Sequence, residues 1–214
     1  MDDAVSRAIN GHDAVEDLGP TASLINRDLI RYARHIVLPG FGQEAQRRLR
    51  DSRVLVVGAG GLGSPVLLYL SAAGVGHLTI LDDDVVDESN LQRQVIHRQV
   101  DVGRPKALSA KDAVQRLNPY LVAEAIVARL GTDNALDLVK DHDLILDCTD
   151  NFTTRYLASD AAEITGTPLV WGTILQYQGQ LSVFSPVRGP VLRELFAEVP
   201  AAVSVASAGG GGTF

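Results

Sequence analysis

The chain has 214 residues, 46% of them apolar, with 19 Lys and Arg against 26 Asp and Glu for a net charge of −7. That length suits one well-buried domain with appendages rather than two domains. The acidic balance argues against a broad nucleic-acid surface, which needs clustered cations, and no apolar run approaches the roughly 18 residues of a membrane span. Cys148 is the only cysteine, which excludes an internal disulfide and any all-cysteine metal site within one chain.

Residues 1–23 are polar and acidic and are expected to form a disordered leader; Asp2 and Asp3, where a secretory signal would be basic, point to a cytoplasmic protein. From Asn26, which can cap a helix, Leu29, Ile30, Ala33 and Ile36 recur at helical spacing while Arg27, Arg31 and Arg34 share the other side. A solvated helix face carries arginines of this kind too. Pro39 and Gly40 end the segment, and Gln43–Arg50 reads as a second short helix. The apolar run Val54–Val57 then enters a glycine turn, with Gly58, Gly60 and Gly63 spaced G-x-G-x-x-G and Gly61 between them. An Ala-rich stretch of helical length follows, and a second strand ends on Asp82, 19 residues beyond Gly63.

After Asp82 the chain is polar and irregular until about Arg104, where Pro105 suits the first turn of a helix that Asn118-Pro119 stops. Leu121–Val127 reads as the third strand, Asn134–Lys140 as a helix, Asp143–Cys148 as a buried parallel strand, and Thr153–Ile164 as another helix. Pro168–Trp171 is the fifth strand, and Gln180–Phe184, flanked by Gly179, a sixth that is open to an antiparallel orientation. The alternation predicts an α/β fold, a doubly wound, mostly parallel Rossmann-like sheet with N-terminal helices and an antiparallel edge. The nucleotide-binding domain is expected over 24–190, and 191–214, small residues ending in Gly209–Gly212 and Thr213-Phe214, is expected to be a flexible tail.

Strand, glycine turn, helix and acid together point to nucleotide binding. Gly58 allows the turn, Gly60 lets backbone approach a phosphate, Gly63 lets helix and strand pack, the helix N-terminus favours an anion, and Asp82 stands where a ribose hydroxyl is accepted. These residues leave open whether the nucleotide is a redox cofactor or a substrate. Ligands in such sheets lie beyond the carboxyl ends of the strands, which brings in Asn90, Arg93 and Gln94 after the second strand, Lys106 at the next helix, and Asp150 and Asn151 after the fourth strand. Two cations and a carboxylate make sense for a triphosphate, with Arg93 and Lys106 neutralising oxygens and Asp150 holding Mg²⁺. Each has a plainer reading: Arg93 and Lys106 as surface residues, Asp150 as a helix cap. Cys148, inside an apolar strand, reads as structural rather than nucleophilic.

GAGGLGS at 58–64, LDDDVVDESNLQRQ at 81–94, GRPKA at 103–107 and LDCTDN at 146–151, with RYARHIVLPGFG at 31–42, resemble the MoeB/ThiF family, the bacterial relatives of ubiquitin-activating enzymes, and within it the MoeB/MoeZ branch. The likeness runs from about Arg27 to Phe184. It implies an ATP-dependent adenylyltransferase that activates the C-terminal glycine of a ubiquitin-like sulfur carrier ending in Gly-Gly, the molybdopterin-synthase carrier first among candidates, with Mg²⁺ and ATP. It implies Asp82 at the ribose, Arg93 and Lys106 at the phosphates, Asp150 at the magnesium, and Asn90 and Gln94 shaping the phosphate site. Arg34 matches an arginine that the family reaches into a partner's site, which implies a homodimer. The sequence departs from the family near its end. Val191 and Glu194 stand at the positions of a zinc-binding CxxC pair, so no zinc is expected, and Val205 replaces a cysteine. The resemblance therefore describes a shortened or degenerate member. A non-catalytic nucleotide- or carrier-binding remnant is the alternative, and an NAD(P)-dependent oxidoreductase a third reading that rests on the glycines alone.

Overall fold

The computed structural model describes residues 24–187 and 189–197. The expected leader and the tail from 198 onward lie outside the described residues. Helices α1 (Asn26–Arg31), α2 (Ala33–Ile36) and α3 (Gly42–Asp51) lead into strand β1 (Arg53–Val57), α4 (Gly63–Ala73) and β2 (His77–Leu81). After a long connection come α5 (Lys106–Leu117), β3 (Val122–Ile126), α6 (Ala135–Val139), β4 (Leu144–Asp147), α7 (Phe152–Thr165), β5 (Leu169–Leu175), β6 (Gln178–Phe184) and α8 (Leu192–Leu195). The six strands form one sheet in the order β3-β2-β1-β4-β5-β6. Neighbours are parallel except β5 and β6, which pair antiparallel from Leu169↔Phe184 to Leu175↔Gln178. The antiparallel edge is therefore as expected, and β6 begins two residues earlier, with Gly179 inside it.

The order reverses between β1 and β4, the place where such sheets open a crevice. The reason β1 reads as an unbroken apolar run is that helices cover both of its faces. Val54 and Val56 pack with Leu67, Ala107, Ala110 and Val114 of α4 and α5. Leu55 and Val57 pack with Val139, Tyr156, Ala158 and Ala162 of α6 and α7.

The single helix expected from Asn26 is instead two. The chain bends at Tyr32 (φ −103°, ψ 15°), seating that ring against the site of Gly74, where its hydroxyl accepts a 2.9 Å hydrogen bond from Asn118 Nδ2. The cap is Ile25, whose N–H donates to Asp28 at 3.4 Å, and not the exposed Asn26. Two of the three arginines tie this segment down: Arg27 lies 4.3 Å over the Tyr120 ring, and Arg31 donates at 2.5 Å to the Leu117 carbonyl at the end of α5. Arg34 is exposed. The segment from Val191, expected to begin the tail, forms α8 with Leu192 buried, and the Phe196 carbonyl accepts from the Tyr156 hydroxyl at 2.9 Å.

Candidate functional site

The carboxyl ends of β1, β2 and β4 open into a cavity of about 420 Å³, within the roughly 300–1,000 Å³ of small-molecule sites. Its wall takes in Gly58, Gly60, Gly61, Asp82, Arg93, Gln94, Lys106, Asp150 and Asn151, nine of the residues singled out in the sequence. Gly63, Asn90 and Arg34 do not line it. A Cβ on Gly63 would fall 1.9 Å from the Gly58 carbonyl oxygen, so Gly63 serves the turn through packing. Gly58 has φ +94°, a conformation other residues rarely adopt. Asn90 shapes the loop from behind, its carbonyl accepting the N–H groups of Arg93 (3.1 Å) and Gln94 (2.9 Å).

The glycine turn is held by two residues that grip one alanine. Asp82 Oδ2 accepts the Ala59 N–H at 2.7 Å, and its Oδ1 accepts the Asp84 N–H at 2.9 Å. Burial raises the Asp82 pKa against those two N–H groups, and each oxygen retains capacity for a further donor. The other grip comes from His97, which sequence reasoning missed. Its Nε2 lies 3.0 Å from the Ala59 carbonyl and its Nδ1 2.9 Å from the Ser109 hydroxyl. A carbonyl only accepts, so Nε2 carries the proton and Nδ1 accepts from Ser109. Burial lowers the His97 pKa, which favours that neutral tautomer.

Further charged groups border the turn. Lys106 opens α5 with only 6% of its surface exposed, and its Nζ donates to Asp84 Oδ2 at 2.9 Å. The stem of Arg93 runs alongside Gly61 and its Nη1 donates to the Ser89 carbonyl at 3.5 Å. Gln94 is buried with its Oε1 unpartnered, and its Nε2 lies next to Gly60. Asn151 caps α7, its side chain accepting the Thr154 N–H at 2.9 Å, which removes the plainer reading of Asp150. Asp150 takes no hydrogen bond among the described residues and faces the cavity exposed.

Beneath Asp150 lies a second polar layer that the sequence reading missed. Asp147 ends β4 with 1% of its surface exposed, and its Oδ1 accepts both the Thr149 N–H (2.9 Å) and the Thr149 hydroxyl (2.7 Å). Burial pushes its pKa to about 6, against those donors and the attraction of Arg155. Arg155, in the first turn of α7, is 5% exposed and lines the cavity. Both had a legible signal: a carboxylate closing an apolar buried strand is uncommon, and helical spacing puts Arg155 on one stripe with Ala158, Ser159 and Ala162, all buried. Arg129, also on the wall, sits in an irregular loop that gave no signal. Burial pushes the Cys148 thiol to about 12, with Asp147 adding to it, so it is inert as a nucleophile.

A family model described as ThiF family matches residues 32–211. The chain belongs to the ThiF family. Among ThiF-family relatives, "Probable adenylyltransferase/sulfurtransferase MoeZ" of Mycobacterium tuberculosis is 51% identical over 197 residues, 90% of this chain and 50% of that protein. "Sulfur carrier protein adenylyltransferase" of Thermus thermophilus is 47% identical over 192 residues, 87% of this chain and 71% of the other. The chain thus spans about half the length of MoeZ. Of solved structures, E. coli MccB with AMPCPP and MccA superposes with a TM-score of 0.71 at 22% identity, covering 76% of this chain and 51% of that one, a likeness of fold. Among the described residues no helix is long and apolar enough to cross a membrane.

Proposed function

We propose that this ThiF-family chain is a cytoplasmic adenylyltransferase that activates the C-terminal glycine of a ubiquitin-like sulfur carrier with Mg-ATP, and that the carrier is the molybdopterin-synthase type. The observation that carries the reading is the convergence of the clamped glycine turn, Asp82, Arg93, Lys106 and the unengaged Asp150 on one cavity. The names of the relatives, adenylyltransferases at 47% to 51% identity, supply the reaction class.

In that reaction a carrier carboxylate oxygen bonds to the α-phosphorus of ATP, the α–β bridging P–O bond breaks, and pyrophosphate leaves with the electron pair. The α-carboxylate is already ionised, so no general base is required. Asp82 would accept from the ribose hydroxyls, and the backbone of Gly60 and Gly61 would approach the phosphates at the helix N-terminus. Arg93 and Lys106 would neutralise charge on the leaving pyrophosphate. Among the described residues no three His, Cys, Asp or Glu side chains cluster to hold a metal, so Mg²⁺ would bind Asp150 together with phosphate oxygens and water, its usual manner with nucleotides. Bound there, it supplies charge neutralisation at the triphosphate. Arg34, exposed and remote from its own cavity, would serve the site of a second copy in a homodimer.

The test is carrier-dependent ATP–pyrophosphate exchange by the purified chain. Exchange with a Gly-Gly-ended carrier and none with a carrier lacking those glycines is expected. A folded protein that binds ATP without exchange would reduce it to a binding module, and NADH binding tighter than that of ATP would restore the oxidoreductase.

A further inference from the structure

The peptide that joins Thr149 to Asp150 is held at its carbonyl, and Thr149 itself at its N–H and hydroxyl. Its carbonyl, that of Thr149, accepts from Arg155 Nη2 at 2.8 Å. The N–H on the other side of the Thr149 α-carbon is held, with the Thr149 hydroxyl, by Asp147 Oδ1. Rotation about that peptide would swing Asp150 away from the cavity, and only the Arg155 bond resists it from the carbonyl side. The guanidinium is itself confined: its carbon lies 5.2 Å from the Phe152 ring centre and 5.8 Å from that of Trp171. It is also attracted by Asp147 and Asp150. Arg155 Nε, Asp147 Oδ2 and Trp171 Nε1 are buried without partners. Polar atoms buried together without protein partners call for an explanation.

We infer that Arg155 is a positioning residue which, through the Thr149 carbonyl, presents Asp150 to the metal of the bound nucleotide. The inference rests on the adenylyltransferase reading for the identity of that ligand. Residues behind a metal-binding carboxylate typically change metal affinity by about 10–100-fold when removed, and Asp150 has no hydrogen-bonded support of its own among the described residues.

The experiment titrates Mn²⁺ into the full chain with a non-hydrolysable α,β-methylene ATP analogue and follows free Mn²⁺ by electron paramagnetic resonance. It is paired with amide hydrogen exchange and thermal unfolding on the ligand-free protein. Arg155→Met is expected to weaken Mn²⁺ binding about tenfold or more, while nucleotide binding without metal changes little, and to speed exchange at Thr149, whose N–H is bonded to Asp147, but not along the interior of α7. Arg155→Lys, which keeps a donor and the charge, is expected to recover part of the metal affinity. Adding Asp147→Asn to Arg155→Met relieves the uncompensated carboxylate, so the double variant should regain thermal stability without regaining metal affinity. If Arg155→Met binds Mn²⁺ as the unaltered chain does, or if the double variant recovers stability and metal affinity together, Arg155 serves the fold alone and the inference is overturned. If the unaltered chain shows no nucleotide-dependent Mn²⁺ binding, the Mg-ATP reading fails first and takes the inference with it.

Discussion

Replacing Asp147 by Asn removes a charge from the floor of the cavity while keeping the oxygen that Thr149 uses. The carboxyl pKa rises from 3.8 to about 6 chiefly through burial. A group whose folded pKa lies above its unfolded value favours the native state fully below the unfolded value, and that contribution is lost as pH rises through the folded one. At about 1.4 kcal/mol per unit, a rise of about 2 units means that ionised Asp147 costs the native state up to about 3 kcal/mol at pH 7.5. The amide would carry no charge, though its nitrogen would occupy the unpartnered Oδ2 position, and a buried unsatisfied group costs about 1–3 kcal/mol. The net expectation is a gain of about 0–2 kcal/mol at pH 7.5, or a rise of up to roughly 8 °C in Tm for a chain of this size. As pH falls the cost of ionised Asp147 shrinks, vanishing only below the unfolded value of 3.8, while the cost of the unpartnered amide stays, so near pH 4.5 the substitution should be neutral to destabilising by up to about 2 kcal/mol. Urea unfolding at the two pH values reads both numbers. A loss of several kcal/mol at pH 7.5 would show that Asp147 and Arg155 act as an obligatory ion pair, since breaking such a pair costs about 3–5 kcal/mol, and would refute the primacy of burial.

Asp150→Ala should lower carrier-dependent exchange by about 10–100-fold with Tm hardly moved, whereas Asn151→Ala should cost about 1 kcal/mol through loss of the α7 cap in thermal unfolding; equal Tm losses in both would make Asp150 structural. His97→Ala leaves the Ala59 carbonyl and the Ser109 hydroxyl unpaired, a cost of roughly 2–4 kcal/mol in urea unfolding, and should weaken ATP binding in calorimetry. The His97 and His142 pKa values are lowered by burial, so their contribution to stability should fall as pH drops below about 6.5, opposite in sign to that of Asp147; an equal change in stability from pH 7.5 to 5.5 in His97→Gln and in the unaltered chain would remove His97 from this account. Gly63→Ala drives a methyl into the Gly58 carbonyl and should abolish detectable nucleotide binding at a stability cost of about 1–3 kcal/mol or more.

What the sequence made legible followed from residues whose neighbours in the chain are also their neighbours in space. The apolar run of β1, the glycine spacing and Asp82 belong to one βαβ unit, so periodicity and spacing recover them. Arg93, Lys106 and Asp150 were found because strand ends face the ligand in any sheet of this type. The bend at Tyr32 was not legible, since it depends on Asn118, 86 residues away. Nor was His97, whose partners Ala59 and Ser109 come from two different elements. Asp147 and Arg155 carry only a weak signal in the sequence, since an acid closing an apolar strand and an arginine on a small-residue helix stripe announce burial but not their joint hold on Thr149.

Parts of the cavity wall differ in how far they are set before a ligand arrives, and that difference bears on the chemistry. At Asp82 and His97, Ala59 is fixed at both its N–H and its carbonyl, and Asp82 is committed by two backbone donors. Elsewhere on the wall Lys106 leans on Asp84, whose side chain is 69% exposed, Arg93 makes one long bond, and Asp150 makes none among the described residues. The Asp84 carboxylate is solvated although Lys106 is buried, so in the proposed reaction a triphosphate would take its place beside Lys106, and the glycine turn would set where the α-phosphorus lies. The proposed adenylation, which moves charge from the α- to the β,γ-phosphates, would use this division: the attacked atom held still beside the clamped turn, and cations not yet committed to a buried partner placed where the negative charge departs.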